Sequence, residues 1–166
     1  FPPKWYGVKF FNVFGPNEYH KKEMRSVVHK AYEQIRDNST VRLFKSHRKE
    51  FEDGEQLRDF VYVKDVVRAL IQMWKQGDPK LSGIYNMGTG EARSFKDLVT
   101  AVFKSMDIPV KIEYFDMPIE IRDQYQYFTE VQMEKFKQLA PDFTFMSLEE
   151  AIFDYVNNYL LKSNSY

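Results

Sequence analysis

The residues best equipped for chemistry lie near the start of the chain, in Glu18-Tyr-His-Lys-Lys-Glu23, directly behind the apolar run Tyr6-Gly-Val-Lys-Phe-Phe-Asn-Val13. A lysine serves as general acid or base when a closed site or a neighbouring cation lowers its pKa. Lys21 is the candidate, because its loop follows the carboxyl end of an expected buried parallel strand, where open α/β sheets bind ligands. The competing reading is a solvated charge run, which composition alone favours. Asn12 interrupts the apolar strand. A buried amide needs partners, and a backbone bond or a ligand at the strand end would serve equally. Arg58 precedes Asp-Phe-Val-Tyr-Val63; a guanidinium grips a diphosphate with two parallel bonds that a lysine cannot copy. Its alternative is a surface ion pair with Asp53, Glu55 or Asp59. Tyr125 offers a phenol to a phosphate or sugar, or packs under a loop.

Other groups carry less. Asp65 suits the first turn of a helix, where a carboxylate complements the dipole and accepts amide bonds. Gly88-Thr-Gly90 has Arg93 where a dinucleotide fingerprint needs a third glycine, so a plain strand-to-helix turn is expected. His20, His29 and His47 show no metal-ligand spacing. His29 is expected on a helix surface, and His20 and His47 in polar loops. The absence of cysteine excludes disulfides, thiolate metal sites and a cysteine nucleophile, and agrees with a cytoplasmic setting.

These residues need a scaffold, and the patterning supplies one. Tyr6 to Val13 reads as a strand buried on both faces. Met24, Val27, Val28, Ala31 and Ile35 recur at helical spacing, giving a helix over about 23–36. Strands are expected at 41–44, 59–63, 83–87 and 110–115, with a charged loop over 45–57 turning at Asp53-Gly54. A helix over 64–76 should close on Gly77. Ser94, Thr129 and Ser147 each stand three residues ahead of Asp or Gln or Glu, as capping boxes opening helices that end near 106, 138 and 161. Strands alternating with helices indicate an α/β protein.

The 166 residues fit one domain or a large piece of one, and 43% hydrophobic content supports a core. With 24 basic and 24 acidic residues, no global field favours nucleic acid or an anionic membrane. No apolar run approaches the length of a membrane span. Phe1-Pro2-Pro3 reads as a connector, and the last residues as a frayed terminus.

Taken together, Phe11-Asn-Val-Phe-Gly-Pro16, Arg58-Asp-Phe-Val-Tyr-Val-Lys-Asp65 and Tyr85-Asn-Met-Gly-Thr-Gly90 resemble the extended short-chain dehydrogenases acting on nucleotide sugars. Asn17-Glu-Tyr-His-Lys-Lys-Glu-Met-Arg-Ser-Val27, with Val41-Arg-Leu-Phe-Lys45 and Tyr125-Gln-Tyr-Phe-Thr129, resembles the heptose 6-epimerase branch, covering about Tyr6 to Leu161. The resemblance implies an extended Rossmann-type fold, of which this chain would be the C-terminal portion with a smaller α/β substrate-binding domain. It implies an ADP-sugar substrate, NADP-mediated inversion at C6 for lipopolysaccharide core synthesis, and a homo-oligomer, pentameric in the family. Lys21 then matches the catalytic lysine and a cofactor contact, and Val13 a cofactor contact. Asn12, Phe44, Lys45, Ser46, His47, Arg58 and Tyr125 match substrate-holding positions, with Glu23 and Lys30 at further ones. The family's glycine-rich loop and YxxxK motif do not occur in the sequence, and the chain alone is expected to be inactive. A 4-epimerase or 4,6-dehydratase of the superfamily, or a non-catalytic ADP-sugar-binding module, remain alternatives.

Overall fold

The computed structural model describes residues 2–76 and 78–163. Gly77, expected to end a helix, and the last three residues of the expected frayed terminus lie outside the described residues.

The apolar run that reads as one strand is two. β1 (Tyr6–Phe10) pairs in parallel with a later strand, Gly83–Met87, whereas β2 (Asn12–Phe14) pairs in parallel with Leu57–Tyr62. Phe11 is the hinge: its amide still bonds Met87 O at 2.9 Å, while its carbonyl accepts from Val13 N at 2.9 Å. The expectation of burial on both faces also fails, since Lys9 and Phe10 of β1 are exposed. The expected helix over 23–36 is shorter. Tyr19–Met24 is a 3-10 segment, and α1 (Val27–Asn38) begins only after Ser26, whose hydroxyl caps His29 N at 3.2 Å. β3 (Val41–Phe44), β4 (Leu57–Tyr62), α2 (Val63–Lys75), a 3-10 turn at Pro79–Leu81 and β5 (Gly83–Met87) follow.

β6 (Ala92–Ser94) runs antiparallel to β4 and leads into α3 (Phe95–Ser105), where the Ser94–Asp97 capping box forms as expected. β7 (Ile112–Phe115) pairs in parallel with β3, and a short α4 (Ile119–Arg122) follows. The expected Thr129 capping box does not form. Thr129 instead belongs to β8 (Phe128–Thr129), which pairs in parallel with β4, and Glu130 accepts Ala92 N at 3.0 Å. The helix behind it, α5 (Glu134–Leu139), starts without a side-chain cap. α6 (Leu148–Tyr155) carries the Ser147–Glu150 box and runs into a π turn over Val156–Leu160.

Two cores meet along β4. Phe60 and Tyr62 enter a cluster with α1, β3, α3 and α6, while Val61 enters another with α2, β5 and α5. This alternation follows from the two-residue period of a strand. β2 and β4 therefore end side by side, with Phe14 opposite Tyr62. Among the described residues, no helix is long and apolar enough to cross a membrane.

Candidate active site at the carboxyl end of β2

The chain leaves β2 through Gly15 at φ 144°, where a Cβ would stand 2.4 Å from Val63 Cγ1. Only glycine accepts that backbone and that approach. The loop beyond is held by Glu18, a buried carboxylate at the start of the charge run. Its oxygens accept Gly15 N at 3.4 Å, Ser26 N and Ser26 Oγ at 2.6 Å each, and the Tyr155 hydroxyl at 3.0 Å. One carboxylate thus ties both ends of segment 15–26 to α6. Hydrogen bonds to an ionised acceptor are the strong ones, which makes a short polar loop definite.

Further bonds extend the clamp. His29 Nδ1 lies 3.0 Å from the Tyr155 hydroxyl, and His29 Nε2 lies 3.3 Å from Arg25 Nη1. Arg25 also donates to Glu33 at 2.5 Å, and from its Nε to Lys22 O at 2.7 Å. This bond helps hold Lys22 at φ 49°, ψ −122°. The expectation that His29 is a surface residue is therefore wrong: it faces α6 and is buried. Burial lowers its pKa, outweighing the raising effects of Glu33 and Glu18. Tyr155 is pushed far up, first by burial and then by Glu18.

The clamp carries Lys21. Its amide bonds Glu18 O at 3.0 Å, and the residue is exposed, its ammonium without a hydrogen bond or ion pair among the described residues. Lys21 lines a cavity of about 310 Å³ at the end of β2, together with Asn12 and Val13. Asn12 is exposed rather than buried, so the expected need to satisfy a buried amide does not arise.

A second cavity, of about 470 Å³, adjoins the first at Val27. It contains Lys30, Phe44 and Tyr125, three of the residues expected to hold substrate. Arg58 stands beside it, with its guanidinium 5.3 Å from the Tyr125 ring centroid. The expected alternative of an ion pair is not what occurs. Arg58 donates to the carbonyls of Leu57 and Gln126, and burial lowers its pKa. Burial raises that of Tyr125, against a lowering pull from Arg58.

The remaining expected residues lie outside both cavities. Glu23 is almost fully exposed and faces Lys30 at 3.8 Å. Lys45 faces Asp116 at 3.7 Å, Ser46 N donates to Asp53 at 2.7 Å, and His47 Nε2 accepts Met117 N at 3.3 Å.

Gly88-Thr-Gly90 is filled from within. Buried Asp59 accepts Thr89 N at 2.7 Å, Thr89 Oγ1 at 2.9 Å, Gly90 N at 2.9 Å and Val131 N at 3.2 Å. Amides already spent on a carboxylate cannot cradle a phosphate, as expected of a plain turn, but the turn leads into β6 rather than directly into a helix. Asp65 is structural as expected: it accepts Met146 N at 2.8 Å and pairs with Arg68 at 2.5 Å.

Sequence reasoning missed Glu18, Tyr155 and the buried His29. Ser26 ahead of an apolar helical run was a legible cap signal, whereas nothing local distinguishes Glu18 from its charged neighbours.

An α/β sheet with a polar, lysine-bearing cavity at its carboxyl edge defines a class of ligand-binding enzyme fold, and comparison with known proteins gives the family. The NAD dependent epimerase/dehydratase family matches residues 4–88, and the chain belongs to it. The chain is 47% identical over 159 residues to the ADP-L-glycero-D-manno-heptose-6-epimerase of Nitratidesulfovibrio vulgaris strain DP4, covering 96% of this chain and 49% of that protein. It is 48% identical over 171 residues to the protein of the same name from Fusobacterium nucleatum, covering 99% and 51%. The crystal structure of the Helicobacter pylori ADP-L-glycero-D-manno-heptose-6-epimerase superposes with a TM-score of 0.72 at 30% identity, covering 93% of this chain and 44% of that one. The chain spans about half the length of the curated relatives it matches.

Proposed function

We propose that these residues form the C-terminal, substrate-side portion of an ADP-L-glycero-D-manno-heptose 6-epimerase, which inverts C6 of the ADP-heptose used in lipopolysaccharide core synthesis. The observation that carries this reading is the meeting of Lys21, Asn12 and Val13 in one cavity beyond β2, with Lys30, Phe44 and Tyr125 in a second that shares Val27 in its lining. The identity of about half to proteins of that name supports the substrate assignment.

In this reading the sugar end lies beside Lys21 and the nucleotide end lies in the second cavity. Lys21 exchanges a proton with the C6 oxygen in one of the two orientations the sugar adopts. Its unpaired ammonium is available for that work, and the Glu18 clamp keeps it at the strand end. Asn12 holds a sugar hydroxyl. Arg58, stacked on Tyr125, and Lys30 offset the charge of the diphosphate.

The cofactor assigned is NADP, which when bound supplies hydride removal and return at C6. The residues present fit its reactive end only: Val13 lines a cavity of about 310 Å³, while the amides of the Gly88-Thr-Gly90 turn are occupied by Asp59. The acid/base group for the opposite face is assigned to the tyrosine of the family's YxxxK motif, which this sequence does not contain. We assign a cytoplasmic setting and a homo-oligomer on the family resemblance, with exposed Trp74, Ile84 and Ile119 available for contacts.

Steady-state kinetics of the complete enzyme test the placement of substrate. Phe44→Ala and Arg58→Lys should each raise the KM for ADP-heptose about tenfold, the order of one well-made contact. An unchanged KM in both variants would remove the second cavity from the substrate site.

A further inference from the structure

The lining of the second cavity includes one buried polar nitrogen without a hydrogen-bond partner among the described residues. Gln56 is 1% exposed and lines the cavity, and its Nε2 has no hydrogen-bond partner among the described residues. Two other buried side-chain groups among the described residues lack partners, Tyr6 Oη and Thr129 Oγ1, and neither residue lines this cavity. The Gln56 backbone is fixed, because its carbonyl accepts Phe95 N at 3.2 Å. An amide buried without a partner is costly and calls for an explanation.

The surroundings suit a flat, aromatic ligand. Phe44 and Phe115 stand with ring centroids 4.8 Å apart, and Phe44 meets Tyr125 edge-on at 6.0 Å. The Arg42 guanidinium lies 4.4 Å from the Phe115 centroid. Such walls stack nucleic-acid bases without choosing among them. A carboxamide is what chooses: it presents a donor and an acceptor side by side, and adenine answers with its N6 amino group and N7. Rotation about the last side-chain bond lets either end of the amide take either role.

We propose that Gln56 reads the edge of the adenine ring and selects an adenine nucleotide over one carrying hypoxanthine. This rests on the reading that the nucleotide end of an ADP-sugar occupies this cavity. Hypoxanthine carries an oxygen where adenine has its amino group, so its edge offers two acceptors and leaves the Gln56 oxygen unpaired.

The test is calorimetric titration of the complete enzyme, unaltered and with this chain's Gln56 replaced, with ADP and with IDP. The unaltered enzyme should bind ADP about tenfold more tightly, the discrimination one bidentate base contact provides. Gln56→Leu should bring the two affinities within about twofold while leaving the Tm unchanged or higher, since it removes a polar group that has no partner. A retained preference in Gln56→Leu, or a Tm lowered by several degrees, overturns the proposal. Equal binding of ADP and IDP by the unaltered enzyme also overturns it and leaves the cavity as a nucleotide site. Binding of neither removes the underlying site assignment as well.

Discussion

Tyr155 donates a hydrogen bond to Glu18 at 3.0 Å across 137 positions of sequence, so the last helix fixes the loop that carries Lys21. Tyr155→Phe removes that donor and leaves the carboxylate buried with one partner fewer. Bonds to charged groups contribute about 1.5–3 kcal/mol. Urea unfolding of the variant should show a loss of that order, and a loss below about 0.5 kcal/mol would mean the clamp is not held from α6.

The same network makes stability depend on pH at both ends. His29 has a folded-state pKa below its ordinary value, first because it is buried, with Arg25 and Arg36 adding to the lowering and Glu33 and Glu18 opposing it. Its contribution is complete above about pH 6.5, the unfolded value, and is lost as pH falls through the folded pKa. Tyr155 is shifted upward, so its contribution is complete below about pH 10 and is lost as pH rises further. Urea midpoints measured from pH 7 down to 5 should fall more steeply for the native sequence than for His29→Asn, which takes up no proton there. Parallel curves would show that His29 is not buried in its neutral form.

Asp59 is the pin of the turn after β5. Asp59→Asn turns an amide NH₂ toward backbone N–H groups and removes the charge that four donors share. A cost of about 3 kcal/mol or more is expected from the loss of charge-assisted bonds. Gly88→Ala should also destabilise, because its Cβ would stand 2.8 Å from both Asp59 Oδ1 and Val131 Cγ1. Chemical denaturation reads both effects, and near-native stability of Asp59→Asn would refute the role given to this carboxylate.

Local signals in the sequence carried much of this architecture. Ser94 and Ser147 cap the helices they were expected to cap, and β3 spans the expected residues. What failed was decided by distant partners. Thr129 has the spacing of a cap, but it lies in β8, opposite Arg58 of β4, and leaves no helix there to cap. The run from Tyr6 to Val13 has one uniform pattern, yet it changes strand partner at Phe11, a matter of which strands lie beside it. That Lys21 lies in the loop behind a strand was legible from its position, and the structure places it in one cavity lining with Asn12 and Val13. Glu18 was not legible, because its partners are Ser26, the N-cap of α1, and Tyr155 of α6 at the far end of the chain.

The most direct test of the account is turnover at C6. Lys21→Met in the complete enzyme, assayed by proton NMR for inversion of ADP-heptose, should lower kcat about 10²- to 10⁴-fold, the range for loss of a general acid/base group. The KM for the ADP-sugar should stay within about threefold, because the nucleotide end is held elsewhere. A kcat within about twofold of the native enzyme would contradict the assignment of Lys21 to the chemistry.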